Sequence, residues 1–518
     1  MYSAQGRAGA FAAPHDAATR SGLSVLQDGG TAVEAMVAAA ATIAVTYPHM
    51  NGIGGDGFWL ISRADGSVTG ISAAGRAAAL ATVGAYPDGI PARGPRAALT
   101  VPTAIAGWQA ALECMRTRLP LSRLLRDALS HAADGIRVTG SQSRHTAAKL
   151  AELVDQPGFA LFAPSGAAPG EGDRLANPAL AETFDRLGRK GLREFYTGET
   201  ARRHADWLAE VGSPLRAGDF AATRAEVVDP LSVGTLSGTL WNMPPPTQGV
   251  ASLMILGISD RLGSLPEDET ALVHRLVEAT KPAFRLRNAH VGDPDHMTAR
   301  PQDWLTDAAL SDMAAQVDPA RAAPWPDPPR EGGTIWMGCC DGDGTMVSYI
   351  QSVFWEFGSG LVCPATGVLF QNRGAAFSLE EGPNMLRPGA RPFHTLNPAM
   401  ARLSDGRRMV YGTMGGEGQP QTQAAIFTRY AQQGMPLAEA IAAPRWLLGR
   451  TWGDVSTTLK LEARFGQTIA ELAAMGHDTE VIPDFSDLTG HAGGVVLHPD
   501  GRIEAAHDPR ADGGALAW

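Results

Sequence analysis

Cysteine is scarce in this chain. Cys114, Cys339, Cys340 and Cys363 are the four in 518 residues, with neither the spacing of a metal site nor the density of a disulfide framework. They read as small buried apolar residues, and the adjacent Cys339 and Cys340 are expected on opposite faces of a strand. Long apolar runs are missing too. The longest, Ala35 to Val45, falls short of the ~20 residues that span a bilayer. Met1 to Ala13 has no charged start followed by an apolar run, which predicts no secretory leader and a cytoplasmic protein away from membranes. Positive charge is in deficit: 43 Lys and Arg against 54 Asp and Glu leave a net charge of −11. That argues against a nucleic-acid partner but leaves room for a local basic pocket. Internal repeats and charged low-complexity tracts are not evident.

What remains is a globular composition, 44% hydrophobic and 19% charged, long enough for one large or two to three ordinary domains. His15 to Gln27 has helical spacing and stops at Asp28-Gly29-Gly30. Thr31-Ala32-Val33-Glu34 is a capping box opening an Ala-rich helix to Tyr47-Pro48. Gly52, Gly54 and Gly57 fit G-x-G-x-x-G, but here a helix precedes and a strand, Phe58 to Ser62, follows. The dinucleotide fingerprint needs the reverse order, so these glycines are read as points of tight turning or close backbone approach. A strand is expected over Val68 to Ser72. Arg76 beyond it is a candidate anchor for an anion or else a solvated surface residue. Helices are expected over Ala104 to Met115 and Leu121 to Ile136, then helical segments alternating with loops to about Ala315. The triple proline Pro244 to Pro246 is a stiff extended piece that shapes a wall, leading into a helix from Val250 to Leu262.

Asp318 to Arg330, with five prolines, reads as a loose linker. It leads through Gly332 and Gly333 into Thr334-Ile335-Trp336-Met337-Gly338-Cys339-Cys340-Asp341. An Asp-Gly-Asp-Gly turn and a second β-prone run to Tyr349 complete a hairpin. Taken alone, Thr334 reads first as a strand-starting residue; the alternative, a nucleophile exposed by cutting the Gly333–Thr334 bond, draws its support from the surrounding chain. Farther on, Phe357 to Val362 and Gly367 to Arg373 read as strand, turn, strand. Arg391 to Pro398 reads as a polar loop. Met409 to Gly412 is strand-like, and Gly415-Gly416 precedes a helix over Gln421 to Tyr430, an arrangement whose backbone N–H groups can face an anion.

Taken in order, these motifs resemble the gamma-glutamyltransferase family of N-terminal nucleophile hydrolases. The likeness runs from Gly29 to Ala35 and Gly52 to Phe58, through Pro244 to Gly249 and Gly292-Asp293-Pro294-Asp295, to Ala506-His507-Asp508-Pro509-Arg510. It implies a four-layer αββα sandwich made as one precursor and cut before Thr334. The products are a large chain 1–333 and a small chain 334–518, interlocked as one structural domain, and a dimer of such heterodimers is an assembly the family allows. It implies Thr334 as nucleophile, Ser352 as a second hydroxyl beside it, Gly415 and Gly416 as an oxyanion hole, Asn372 as a site residue, and no metal or organic cofactor.

The departures from the family pattern bear on substrate. The Asp that holds a substrate ammonium falls at Ala376, the Gln after the Asn is Arg373, an Asn is replaced by Phe354, and a Ser-Ser pair by His394-Thr395. The carboxylate-binding Arg is not cleanly matched, with Arg76 about two residues displaced. A pocket that loses a carboxylate and gains a cation disfavours a gamma-glutamyl group. It suits a small acyl group bearing a carboxylate, held by Arg373 with His394, Thr395 and Arg76. The runs around Ser352, Asn372 and His394 look like the branch containing oxamate amidohydrolase. The expectation is an autoprocessing amidohydrolase acting on a small carboxylate-bearing amide. Its rivals are a gamma-glutamyl hydrolase or transferase using glutathione-like donors, and an uncleaved, non-catalytic family member.

Overall fold

The computed structural model describes residues 3–325, 333–449 and 456–518. Two seven-stranded sheets lie face to face. The first runs, edge to edge, Gly514–Ala517, Gly9–Ala13, Gly333–Asp341, Met346–Phe354, Asp56–Ser62, Val68–Ala73 and Glu226–Val228. The second runs Ser3–Gly6, Ile503–His507, Ala492–Leu497, Arg408–Thr413, Ala399–Leu403, Gly238–Asn242 and Leu231–Thr235. Both sheets draw strands from either side of residue 334. Helices cover each outer face, giving the expected αββα sandwich.

Strand alternation builds the three apolar layers. Ile335, Met337 and Cys339 face the helical layer that holds Asp16–Gln27, Ala32–Thr46 and Ala104–Cys114. Trp336 and Cys340 face the other sheet, where they meet Met400, Val410 and Val495, so the two adjacent cysteines do point apart. The second sheet packs its outer face on the helices Gly249–Arg261, Glu269–His290 and Gln419–Phe427. Every residue of Ala32–Thr46 is buried, and its small side chains let a sheet and neighbouring helices close on it from all sides. Its capping box forms as read, with Thr31 N–H donating to Glu34 Oε2 at 2.8 Å and Glu34 N–H to Thr31 Oγ1 at 3.3 Å. Among the described residues no helix is long and apolar enough to cross a membrane.

Four expectations need correction. Phe357 to Arg373 is not strand–turn–strand: Phe357, Gly358 and Gly360 take positive φ of 57°, 52° and 79°, which breaks extension. Only the isolated bridges Val362 to Leu369 and Gly54 to Phe370 remain, and Arg373–Ala376 is a short helical turn. Leu121 to Ile136 divides at Leu125 into two helices. The central region contains an unforeseen hairpin, Leu231–Thr235 with Gly238–Asn242, that forms one edge of the second sheet. The linker is not loose over its described part, residues 318–325, which lies bonded to a helix; residues 326–332, including Gly332, lie outside the described residues.

Between the sheets, the Trp336 ring lies over Gly338, Gly412 and Gly493, where an added Cβ would meet its carbons well inside van der Waals contact. Its indole N–H donates to Ser348 Oγ at 2.9 Å. Gly412→Ala is expected to cost about 1–3 kcal/mol through overpacking, read as a lower urea midpoint at unchanged slope.

Candidate active site

The hairpin sets the first row of the site. Ile335 pairs with Gln351 and Gly333 with Phe354, so the ladder slips at Thr334, which faces Ser352 and Val353. On the neighbouring strand Ser352 pairs with Asp56. Thr334, Ser352 and Asp56 therefore share one row and one face. That face also carries Trp336, Ile350 and Phe58, and it looks into the space between the sheets. All three polar residues are buried. Ser352 Oγ accepts the Phe354 N–H at 2.8 Å, which fixes the slip. Gly55 lets the backbone close on the Ser352 carbonyl, where a Cβ would collide.

The charged part of the site grows from the slipped residue. The Arg373 guanidinium lies 3.8 Å from the centre of the Phe354 ring, and Arg373 is only 1% exposed. Among the described residues, none of its three nitrogens has a hydrogen-bond partner. Burial pulls its pKa down to about 9, opposed by the Asp56 carboxylate, so it keeps its charge at neutral pH. Asp56 Oδ1 accepts from Gly75 N, Thr103 Oγ1 and Gln371 Nε2. Its Oδ2 stands 3.3 Å from His394 Nε2, without the alignment of a hydrogen bond. Burial, reinforced by Arg373, brings His394 down to about 4 against the pull of Asp56, leaving the ring neutral at pH 7. The Thr395 hydroxyl also has no hydrogen-bond partner among the described residues. A buried cation, a neutral imidazole and a hydroxyl, all with unmet hydrogen-bonding capacity, can receive a small anion.

The glycine turn comes from the opposite sheet. The strand Arg408–Thr413 ends there, and Gly415 and Gly416 take φ of 115° and 53° before the helix that starts at Gln419. Gln248 ties this turn to the charged pocket: its Nε2 donates to Thr395 O at 2.7 Å and to Gly416 O at 2.8 Å, and Arg287 Nη1 donates to its Oε1 at 2.6 Å. Arg287 in turn pairs with Glu417 at 3.2 Å. Behind Gly415, the Met414 N–H donates to His491 O.

A model of the family described as Gamma-glutamyltranspeptidase matches residues 18–518. The chain belongs to this family. The oxamate amidohydrolase proenzyme of Klebsiella pneumoniae subsp. pneumoniae is 54% identical over 519 residues, covering 98% of each chain. The glutathione hydrolase-like YwrD proenzyme of Bacillus subtilis is 37% identical over 511 residues, covering 97% of each. The crystal structure of a cephalosporin acylase from Bacillus halodurans superposes with a TM-score of 0.92 at 30% identity, over 100% of this chain and 97% of that one. This member of the gamma-glutamyltranspeptidase family is accordingly an enzyme.

Most of the residues singled out from the sequence of this family member are brought together: Thr334, Ser352, Arg373, His394, Thr395 and the Gly415-Gly416 turn. Asn372 has a bracing position, its Oδ1 accepting from Trp355 N and its Nδ2 donating to Ala92 O. Arg76 is the exception. Its side chain is 45% exposed and pairs with Glu226 at 2.9 Å and Asp295 at 3.4 Å, so its charge is spent on surface acids and the expectation of an anion anchor fails. Sequence reasoning missed Asp56, hidden in a run read only for its glycines, and Gln248, which follows the triple proline. Thr247 bridges His394 through the backbone, so that proline piece braces the pocket. Among the described residues, His274, Glu278 and His477 come within 4.8 Å of one another. Both Glu278 oxygens are already engaged, by Lys281 Nζ and Ala323 N.

His394 belongs to a larger group of rings kept neutral chiefly by burial: His15 and His491 at about 4, and His204, His477 and His507 at about 3. Unfolding lets such rings bind protons near pH 6.5. The unfolded chain therefore takes up more protons between about pH 4 and 6.5, and stability complete above that window is lost as pH falls through it. The urea midpoint is expected to drop between pH 7 and pH 5, and an unchanged midpoint would contradict the buried neutral rings.

Proposed function

We propose that this chain is an autoprocessing amidohydrolase that hydrolyses a small amide whose acyl group bears a carboxylate, with oxamate as the substrate. The observation that carries this reading is Arg373, a buried guanidinium with three nitrogens that no group among the described residues satisfies, stacked on the residue that pairs with Gly333. A desolvated cation of that kind favours a carboxylate, which it can grip with two parallel hydrogen bonds. It repels the ammonium that a gamma-glutamyl donor would bring.

In this reading the Thr334 hydroxyl first attacks the Gly333 carbonyl, shifting the acyl group from nitrogen to oxygen, and water hydrolyses the resulting ester. The cut leaves 1–333 and 334–518 as the two chains. It also frees the Thr334 α-amine, whose reference pKa near ~8 lets it accept a proton at neutral pH. The amine then takes the hydroxyl proton as Thr334 attacks the substrate amide carbon. Ser352, opposite in the ladder, orients the attacking oxygen. The Gly415 and Gly416 backbone N–H groups receive the oxyanion, and one such donor is worth roughly 3–4 kcal/mol. Collapse expels ammonia, which leaves with the proton, and water hydrolyses the acyl-Thr334 ester to give the dicarboxylate. Arg373, His394 and Thr395 hold the substrate carboxylate, with the Asp56 carboxylate 3.3 Å from His394. No step calls for a cofactor.

Purified protein is expected to run as two fragments, whereas Thr334→Ala should remain at 54.3 kDa and release no ammonia from oxamate. Ammonia release by that variant would contradict the nucleophile. Arg373→Met should still split but lose about 10²-fold in kcat/KM for oxamate, mainly through KM, since two charge-assisted hydrogen bonds together contribute about 3 kcal/mol. A gamma-glutamyl anilide turned over faster than oxamate would favour the glutathione-like reading instead.

A further inference from the structure

One face of the helix Glu269–His290 carries His274, Glu278, Lys281 and Arg285, spaced four, three and four residues apart, so the four line a single stripe. Each holds the backbone of the segment that leads toward the Gly333–Thr334 bond. His274 Nε2 lies 2.8 Å from Asp318 O. Glu278 Oε2 accepts from Ala323 N at 3.0 Å, and Lys281 Nζ donates to Ala323 O at 2.5 Å. Arg285 Nη2 donates to Pro324 O at 2.7 Å, and its guanidinium lies 5.8 Å from the centre of the Trp325 ring, which also meets Phe284. The far wall comes from beyond residue 334. Met475 O accepts the Ala322 N–H at 2.8 Å, and His477 Nε2 lies 2.8 Å from His274 Nδ1.

These contacts spend buried charge on otherwise unremarkable backbone. Glu278 and Lys281 are 3% and 2% exposed and pair at 2.5 Å, yet each also reaches the same residue, Ala323, one to its N–H and one to its carbonyl. Desolvating an ion pair gains little stability by itself. A bidentate grip on one peptide position fixes where the chain leaves the helix.

We infer that His274, Glu278, Lys281 and Arg285 form a rail that positions the segment 318–325 so that the Gly333–Thr334 bond is presented for self-cleavage. They are positioning residues for maturation and have no part in substrate turnover. With the rail, seven residues (326–332) separate the last anchored residue from Gly333; without it, as many as eighteen (315–332) separate it from the helix Asp307–Ala314. Loop-closure scaling over that change predicts cleavage about four-fold slower. The inference rests on the proposed self-cleavage before Thr334.

The test follows the rate at which freshly translated full-length chain splits, by denaturing gel, in the unmodified protein, in Arg285→Ala, and in the double variant Glu278→Gln with Lys281→Met, which removes both charges together. The matured fraction of each is then assayed for ammonia release, and thermal unfolding checks that each is folded. Splitting is expected to slow measurably in both variants, with about four-fold as the limit reached when the whole segment is released, with kcat and KM of the matured enzyme unchanged and Arg285→Lys restoring the rate. Variants that split as fast as the unmodified chain overturn this inference alone. So does slowed splitting in step with lost kcat or with general instability. An unmodified chain that never splits overturns both this inference and the proposed function.

Discussion

The backbone ladder between Gly333–Asp341 and Met346–Phe354 is the constraint on which the site depends. Its slip at Thr334 brings that residue to face Ser352 and Val353, and one strand over Ser352 lies opposite Asp56. Where it slips, Phe354 comes level with Gly333, and its ring becomes the platform for Arg373. Hydroxyl row and cationic pocket are thus consequences of a single pairing. A one-residue shift would turn every side chain in the row to the helical face.

The electrostatics of the pocket follow from burial between the sheets. Desolvation lowers both Arg373 and His394, but with different outcomes at neutral pH: the guanidinium keeps its proton and the imidazole does not. Asp56 keeps the pocket from being an isolated buried cation, which would be costly. Its three hydrogen bonds are directed elsewhere, to Gly75, Thr103 and Gln371, leaving Arg373 able to engage an incoming anion. The Gln248 bridge couples that anion pocket to the glycine turn.

Much of this was legible in the sequence because it rests on local rules. The hairpin, the capping box at Thr31 and Glu34, the Gly415-Gly416 turn and the opposed faces of Cys339 and Cys340 each depend on residues a few positions apart. The resemblance to the family supplied the order of the site residues. What escaped depends on distant partners. Asp56 is informative only once it pairs with Ser352 and meets His394, and Gln248 only once it spans Thr395 and Gly416. Arg76 was drawn into the site by its charge, but Glu226 and Asp295, far along the chain, claim it. The proline-rich segment before residue 326 looked loose because its restraint comes from a helix some forty residues upstream.

The central claim is that Thr334 becomes a chain terminus whose own amine activates its hydroxyl. N-terminal sequencing of the smaller fragment from purified protein tests it most directly. The account predicts a single unblocked sequence beginning Thr-Ile-Trp-Met-Gly. A fragment beginning elsewhere, or a blocked terminus in material that still releases ammonia from oxamate, would contradict it.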